Sequence, residues 1–551
     1  MIYAVRPILL LFIPMFILCA YEPVFARADL QVQDDEQKIV KEYVRKTRLD
    51  NVRVQNSKAL QKVYEENNYQ PLWMTGSRKD FRLLNDFYEL FLDSWVHGFN
   101  PGKYHTPSIY NSLAKIKEGK TLDDKIKADI ILSDAIIKFG QDLTGTRINP
   151  RKLGYNSKSI RKPGDPAALL QYILSSRNPV NSLRGLAPKS NFYKALQSEL
   201  ILLYQNPDDD VKPIKVGRLI KPRSSHGAIP AIRERLGVSD QNLMHEANFY
   251  DDLLSKRVIE FQKKNGLKPD GVIGPATMRI LNMNDEDRIK QIIVNMERAR
   301  WELDDASSRY IMVNIPNQTL FAVDNGRTKI QMPIVIGRTD RPTNSFQTNI
   351  DGVRFNPTWT IPRTIKREDF ISKLKEDPNY LMDRGINLYY EREQIDSTLV
   401  DWNALPEEEY SSYRMVQGSG LNNPLGRFRI LMPNPYNIYL HDTPQKSVFQ
   451  RTNRALSSGC IRLQDAEKVV DFILQDKNGW SEERKQDILD AGKMRDIFLE
   501  NPIPVYLNYQ TMWFDDKNKL VYGPDVYKED INLFSALKSQ NDVYLPSDRG
   551  I

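Results

Sequence analysis

The chain has 551 residues, 40% of them hydrophobic, and a net charge of +7 from 78 Lys and Arg against 71 Asp and Glu. That length exceeds what one hydrophobic core supports, so three or four folded units are expected, with a composition ordinary for a soluble globular protein. The positive excess is spread along the chain and forms no basic patch interleaved with aromatics, which argues against a nucleic-acid binder and leaves a mild balance suited to an anionic polymer.

The first 28 residues carry Arg6, an apolar run from Ile8 to Ala20 and small-residue sites at Val24-Phe25-Ala26 and Ala26-Arg27-Ala28. This pattern predicts a secretory signal peptide, because the run is shorter than the roughly 20 residues that span a bilayer and contains Pro14. Cleavage removes Cys19, which Leu18 precedes where lipidation needs a small residue. Cys460 is then the one thiol of an exported chain, in a compartment where cysteines usually pair, so its unpaired state asks for a reason.

Residues 29–215 read as helical, with apolar residues at spacings of three and four over Gln37–Arg48, Phe81–Trp95, Lys125–Leu143 and Phe192–Tyr204. His97 and His105 lie here without metal-ligand spacing and read as structural. Pro, Gly and Ser between Lys212 and Ser225 mark a boundary. A compact unit of helix, helix, glycine turn and helix follows, from Ile229 to Asn282, with Asp270-Gly271 as a strong turn signal. Neither His245 nor the five histidines of the whole chain make a zinc motif. Asp285–Trp301 reads as a charged amphipathic helix that packs between domains.

From Arg309 the apolar period changes to two, over Tyr310–Ile315, Thr319–Val323, Ile330–Ile336, Val353–Trp359, Arg427–Met432 and Asn437–His441, with Asp324-Asn325-Gly326 as a hairpin turn. These runs predict a β-sandwich or barrel. Residues 364–412 break the rhythm, carry charge and include a helix over Arg367–Lys375, as a lid-like insertion would. Pro504–Trp513 and Lys519–Tyr522 add a hairpin across Asp515-Asp516-Lys517-Asn518.

Two residues in this β region carry chemistry. His441 closes an alternating run at a strand end, and Cys460 precedes the helical pattern Ala466, Val469, Val470, Ile473 and Leu474. A free thiol is only about 3% ionised at neutral pH, so a nucleophilic cysteine needs a base or a positive field. The spacing predicts both, with His441 as base and the helix N-terminus supplying partial positive charge and spare N–H groups beside the thiol. A buried inert cysteine and a structural histidine remain the alternative on spacing alone. Arg462 either meets a substrate carboxylate or is a surface charge at the helix start, where a cation opposes the helix dipole. Trp359 and Tyr439 either line the cleft or belong to the core.

His441-Asp442-Thr443 with Ser457-Ser458-Gly459-Cys460-Ile461-Arg462 resembles the signature of the L,D-transpeptidases, cysteine enzymes that cross-link bacterial peptidoglycan. Ser458 stands where a second His is frequent and Asp442 where a Gly is frequent, so the likeness is to a variant form and His441 is left as the base. Tyr69-Gln70-Pro71-Leu72-Trp73, His97-Gly98-Phe99-Asn100-Pro101 and Gly145–Pro150 resemble the scaffold domain of the large Gram-negative members. Ile229–Asn282 resembles the three-helix peptidoglycan-binding module, Asn295–Trp301 the connector, and 364–412 a capping insertion. The implied architecture is multidomain α+β. It comprises a signal peptide at 1–28, a helical N-terminal scaffold at 29–215, a peptidoglycan-binding domain at 216–284 and a connector helix at 285–303. A β-sandwich catalytic domain of the YkuD type at 304–507, with its capping lid at 364–412, and a C-terminal hairpin and tail at 508–551 complete it.

The same resemblance implies a periplasmic enzyme that joins stem peptides at their third residues. Cys460 forms a thioester with a donor tetrapeptide, D-alanine leaves, and the diaminopimelate amine of an acceptor stem takes the acyl group. Backbone N–H groups of Gly459 and Cys460 form the oxyanion hole, and Ser457, Ser458, Arg462, Trp359 and Tyr439 contact substrate. No metal or cofactor and no nucleic acid is expected. Carbapenems are expected as inhibitors, and cell-wall synthesis proteins are the partners it leaves open. An L,D-carboxypeptidase and a non-catalytic wall-binding scaffold remain alternatives. A papain-like or NlpC-like peptidase is disfavoured, because there Cys precedes His in the chain.

Overall fold

A computed structural model describes residues 35–75, 78–118, 121–155, 163–205, 211–238, 247–301, 308–515 and 517–548. The leader at 1–28 with Cys19, and His245, lie outside the described residues. No helix among those described is long and apolar enough to cross a membrane. The chain divides into two compact units, the first from described residues within 1–91, 104–139 and 165–183 and the second from those within 92–103, 140–164 and 184–551.

The first unit is mainly helical, built from Ser57–Glu66, Thr106–Lys117, Pro166–Leu174 and all but the C-terminal ends of Arg78–Leu92 and Leu122–Leu143. The Leu122–Leu143 helix buries Ile126, Ile130 and Ile137 together with Asp129, Ser133 and Asp134. A buried carboxylate needs donors, and these have them. Asp129 accepts from the amides of Leu72, Trp73 and Met74 at 3.0, 2.6 and 2.8 Å. Asp134 accepts from the Asn56 amide at 2.8 Å and is 2.8 Å from His105 Nε2. The loops are thus pinned to the helix by side chains, and His105 has a structural partner.

In the second unit the helices Ile229–Arg235, Asp252–Lys264 and Pro275–Leu281 enclose a small core of Ile229, Ile232, Tyr250, Leu254, Val258, Ile273 and Leu281. Gly271 has φ +70°, the left-handed conformation its turn needs. The connector, Asp285–Trp301, packs against the Asn191–Gln205 and Glu529–Ser539 helices and buries Ile289, Ile292, Ile293, Val294 and Met296.

The remainder is β-rich. Nine strands form one sheet, in the order Ala455–Ser457, Arg327–Gly337, Ile461–Leu463, Leu440–His441, Phe428–Leu431, Phe346–Phe355, Arg495–Asn508, Arg309–Asn314 and Thr319–Asp324. Thr319–Asp324 also pairs with Arg327–Gly337, so the sheet closes on itself around one apolar core. Of the sandwich or barrel expected, the single sheet closed on itself is the barrel form. Asn325 and Gly326 take φ of 49° and 72°, the two left-handed residues of a tight hairpin. The chain is helical N-terminally and β-rich C-terminally, a mixed α+β architecture.

Three readings of strand rhythm are corrected. Val353–Trp359 is not one strand, since Phe346–Phe355 ends before Trp359–Thr360, which joins a different sheet. Arg495–Asn508 runs parallel to Arg309–Asn314 in the main sheet, and only Met512–Phe514 forms the hairpin with Leu520–Tyr522. The insertion also contains strands. Ile386–Tyr390, Glu393–Ile395 and Tyr413–Gln417 build a four-stranded sheet with Trp359–Thr360, over an apolar cluster that includes Phe370, Leu374, Leu388 and Trp402.

Candidate active site

The site is assembled by strand register. Leu440–His441 pairs in parallel with Ile461–Leu463, matching Leu440 with Ile461 and His441 with Arg462. Leu440 and Ile461 are fully buried on the core side. Because side chains alternate along a strand, Tyr439, His441, Cys460 and Arg462 share the opposite face, with Cys460 level with Tyr439 and one step from His441. The Ile461 amide donates to the Tyr439 carbonyl at 3.0 Å and continues the register back toward the cysteine. On the other side His441 pairs with Arg429 of Phe428–Leu431. Phe428 and Ile430 point into the core, so Arg429 joins the face of His441.

His441 is 5% exposed, and its Nδ1 lies 2.5 Å from the Asp442 carbonyl oxygen. A carbonyl only accepts, so Nδ1 carries the proton and Nε2 keeps its lone pair. Burial, and then the charge of Arg462, lower the imidazole pKa to about 3, against a smaller opposing pull from Asp442. His441 is a neutral base. Cys460 is the free cysteine among the described residues and is half-buried. Burial pushes its thiol up, while hydrogen bonding by Tyr439 and the charges of Arg429 and Arg462 act in the other direction. Its S–H points to the Asn437 carbonyl at 3.9 Å.

These observations correct the expected source of activation. The Ile461–Leu463 strand separates Cys460 from the Ala466–Leu474 helix, whose N-terminus is capped by Asp465 accepting from the Lys468 amide. The helix dipole does not act at the thiol, since its effect fades within one turn. Positive charge comes instead from Arg462, on the strand that continues from Cys460, and Arg429, two strands away, and the resting pair is neutral thiol and neutral imidazole. Such a pair reacts by proton transfer during attack, not from a stored thiolate.

The turn before the nucleophile is held by side chains expected from the sequence to contact substrate. Ser457 is buried; its hydroxyl donates to the Cys460 carbonyl at 2.6 Å and accepts from the Gly459 amide at 3.2 Å. The Gly459 N–H is therefore already engaged, which removes it from the expected oxyanion pair in this state. Gly459 has φ +106°, a conformation that favours glycine whatever the space. Thr343 Oγ1 donates to the Gly459 carbonyl at 2.7 Å. Ser458 Oγ accepts from Arg341 Nη1 at 3.0 Å. Arg341 in turn bonds both carboxylate oxygens of Asp369, at 2.7 and 2.9 Å, and Glu368 at 2.6 Å. One guanidinium thus links the nucleophile turn to the helical run of the insertion.

Arg462 faces the site and donates to Gln445 Oε1 at 3.0 Å. Tyr439 packs partly into the core and stands edge-on to the His441 ring, centroids 5.6 Å apart. Trp359 packs into the insertion's own apolar cluster, 6.0 Å from the Phe370 ring. Among the described residues no group of His, Cys, Asp and Glu could hold a metal ion. Arg429, Arg341 and Thr343 do not stand out in the sequence. Nothing local marks them, because strand register and a contact across 117 residues bring them to the site.

Residues 308–487 match the L,D-transpeptidase catalytic domain YkuD, residues 58–200 match a scaffold domain, and residues 234–281 match a putative peptidoglycan binding domain. A putative L,D-transpeptidase of Haemophilus influenzae is 33% identical over 226 residues. That match covers 40% of this chain and 45% of the relative, so the chain spans less than half of the relative's length. Among solved structures, an L,D-transpeptidase from Mycobacterium smegmatis is 11% identical, with a TM-score of 0.19, over 37% of this chain and 59% of that one. An L,D-transpeptidase from Stackebrandtia nassauensis is 11% identical, with a TM-score of 0.21, over 55% and 97%. A structural likeness this slight says nothing about function.

Proposed function

We propose that this chain, which carries a YkuD L,D-transpeptidase catalytic domain with a scaffold domain and a peptidoglycan-binding domain, is an exported cysteine acyltransferase that forms 3-3 cross-links between peptidoglycan stem peptides. The observation that carries this reading is the shared face of His441 and Cys460, set by the pairing of Leu440 with Ile461 and His441 with Arg462.

In the first half-reaction the Cys460 sulfur attacks the carbonyl of the third residue of a donor tetrapeptide while its proton passes to His441 Nε2. The tetrahedral oxyanion is met by the Cys460 amide. His441 then returns the proton to the amine of D-alanine as the C–N bond breaks, leaving a thioester. An imidazolium held between Arg429 and Arg462 is a strong acid, which favours this second transfer. In the second half-reaction the diaminopimelate amine of an acceptor stem attacks the thioester, again with His441 as base, and the thiol is regenerated. The peptidoglycan-binding domain supports the wall polymer as substrate, the leader pattern at 1–28 supports a periplasmic location, and the reactive thiol makes the site a target for carbapenem acylation.

The test is product analysis after incubation with tetrapeptide muropeptides. Dimers joined between third residues, with release of D-alanine, support the reading. Tripeptide monomers alone would make the protein an L,D-carboxypeptidase, and unchanged substrate would leave a wall-binding scaffold.

A further inference from the structure

In-register pairing sets one row of side chains across the active face. Arg462 lies opposite His441, His441 opposite Arg429, Arg429 opposite Arg354, and Arg354 opposite Asp496. Adjacent strands are about 4.8 Å apart, so the imidazole stands between two arginines, and two more positive charges meet directly at Arg429 and Arg354. Like charges opposite one another in a sheet are destabilising. The row holds three guanidiniums against one carboxylate, and that carboxylate is taken, since Asp496 receives both Nε and Nη2 of Arg354 at 2.7 Å. The nearby Asp442 carboxylate is taken as well, by the Lys446 ammonium at 2.7 Å and the Arg427 amide at 2.9 Å.

Arg429 is the member left over. It is half-buried, its guanidinium lies over the Tyr439 ring 4.1 Å from the centroid, and its buried Nε has no hydrogen-bond partner. No ion pair or hydrogen bond to its side chain occurs among the described residues. Asp496 meets the charge of Arg429 only at a distance, its oxygens being bonded to Arg354. A partly desolvated guanidinium with no carboxylate bonded to it is costly unless something supplies one. Its planar fork suits a carboxylate held by two parallel bonds.

Resting on the acyl-transfer reading above, we propose that Arg429 binds a carboxylate of the donor stem peptide, and so selects an acidic peptide and fixes its position beside Cys460. The ligand class is a peptide carboxylate, from either the C-terminal D-residue or the third residue's side chain, which the experiment separates. Tyr439 is the platform on which the guanidinium rests.

The experiment measures acylation of the full-length protein by a tetrapeptide with all carboxylates free, by one amidated at the C-terminus and by one amidated at the third-residue side chain. With wild-type protein, amidation of the recognised carboxylate should raise KM by roughly 10- to 100-fold, the loss of one charge-assisted pair. Arg429→Gln should raise KM for the free peptide by a similar factor and should abolish the difference between free and amidated peptides. Arg429→Lys should recover part of the discrimination. The wild-type arm needs no variant to fold. If wild-type protein acylates all three peptides with equal KM, or if Arg429→Gln weakens them equally while leaving the discrimination intact, Arg429 is not a carboxylate site. If wild-type protein acylates none of them, the acyl-transfer reading itself fails, a separable outcome.

Discussion

Two histidines of the second unit sit among arginines, and they do opposite things. His97 is buried beside Arg300 and Arg147, and His441 stands between Arg462 and Arg429; burial and positive charge lower each to about 3. Around His97 a carboxylate is bonded to both arginines. Glu297 Oε2 receives Arg147 at 2.7 Å and Arg300 at 2.9 Å, and Arg300 also bonds Tyr193 Oη at 2.7 Å, while His97 Nδ1 lies 2.9 Å from the same hydroxyl. Glu297 and Arg300 are entirely buried. Around His441, among the described residues, no carboxylate is bonded to Arg429 or Arg462, Asp496 meets the charge of Arg429 only at a distance, and one ring nitrogen is free. The same ingredients make a fastening when the acid is included and a reactive face when it is left out.

The comparison breaks most sharply at the free nitrogen. His441→Gln should slow acylation of Cys460 by roughly 100- to 10,000-fold while leaving the melting temperature near that of wild type. The equivalent change at His97 should leave the rate nearly unchanged, which single-turnover kinetics of the two variants would measure. Glu297→Gln should do the reverse. It strands two buried arginines and should cost about 3–5 kcal/mol of stability in chemical unfolding, with the folded fraction still acylated at the normal rate. Normal stability in that variant would mean the network is not the fastening described.

A smaller effect belongs to the link between the nucleophile turn and the insertion. Arg341→Ala removes the bonds to Ser458, Asp369 and Glu368 together. It should reduce the acylation rate by about tenfold, through looser placement of Cys460. Asp369→Asn should reduce it less, because Glu368 and Ser458 still hold the guanidinium. Equal effects from the two would contradict a turn held through Ser458.

A separate effect is on pH dependence. A buried neutral histidine of lowered pKa contributes stability that is fully present above the unfolded value near 6.5 and is lost as pH falls toward about 3, because the unfolded chain binds the extra proton. His441→Gln should flatten the slope of stability against pH across that interval, as thermal melts over an acid series would record. In the wild-type protein the acylation rate should show no titration near 6.5, since the base is already neutral there.

Much of this was readable in the chain, and the rest was hidden for physical reasons. The change of apolar period at Arg309, the turn at Asn325-Gly326 and the connector at Asp285–Trp301 are local patterns, and local patterns survive in sequence. His441 and Cys460 stand out because a base at a strand end and a lone thiol downstream of a leader-like pattern are both unusual. What failed was the step from Cys460 to its helix. Ile461-Arg462-Leu463 is only three residues long, too short for periodicity to declare, yet it moves the helix N-terminus away from the sulfur. Ser457 and Ser458 are expected as substrate contacts, and the structure adds that they hold the turn, a role that depends on groups no spacing reveals. Arg429 and Arg341 were invisible for the opposite reason, since only register and long-range packing give them meaning.

The measurement closest to the central claim is intact-mass spectrometry of the protein incubated with meropenem, alongside Cys460→Ala and His441→Ala. The account predicts a single adduct on wild type, absent in Cys460→Ala and formed much more slowly in His441→Ala. No adduct on wild type, together with a Cys460 inert to small alkylating reagents, would show a buried unreactive thiol and contradict the proposed nucleophile.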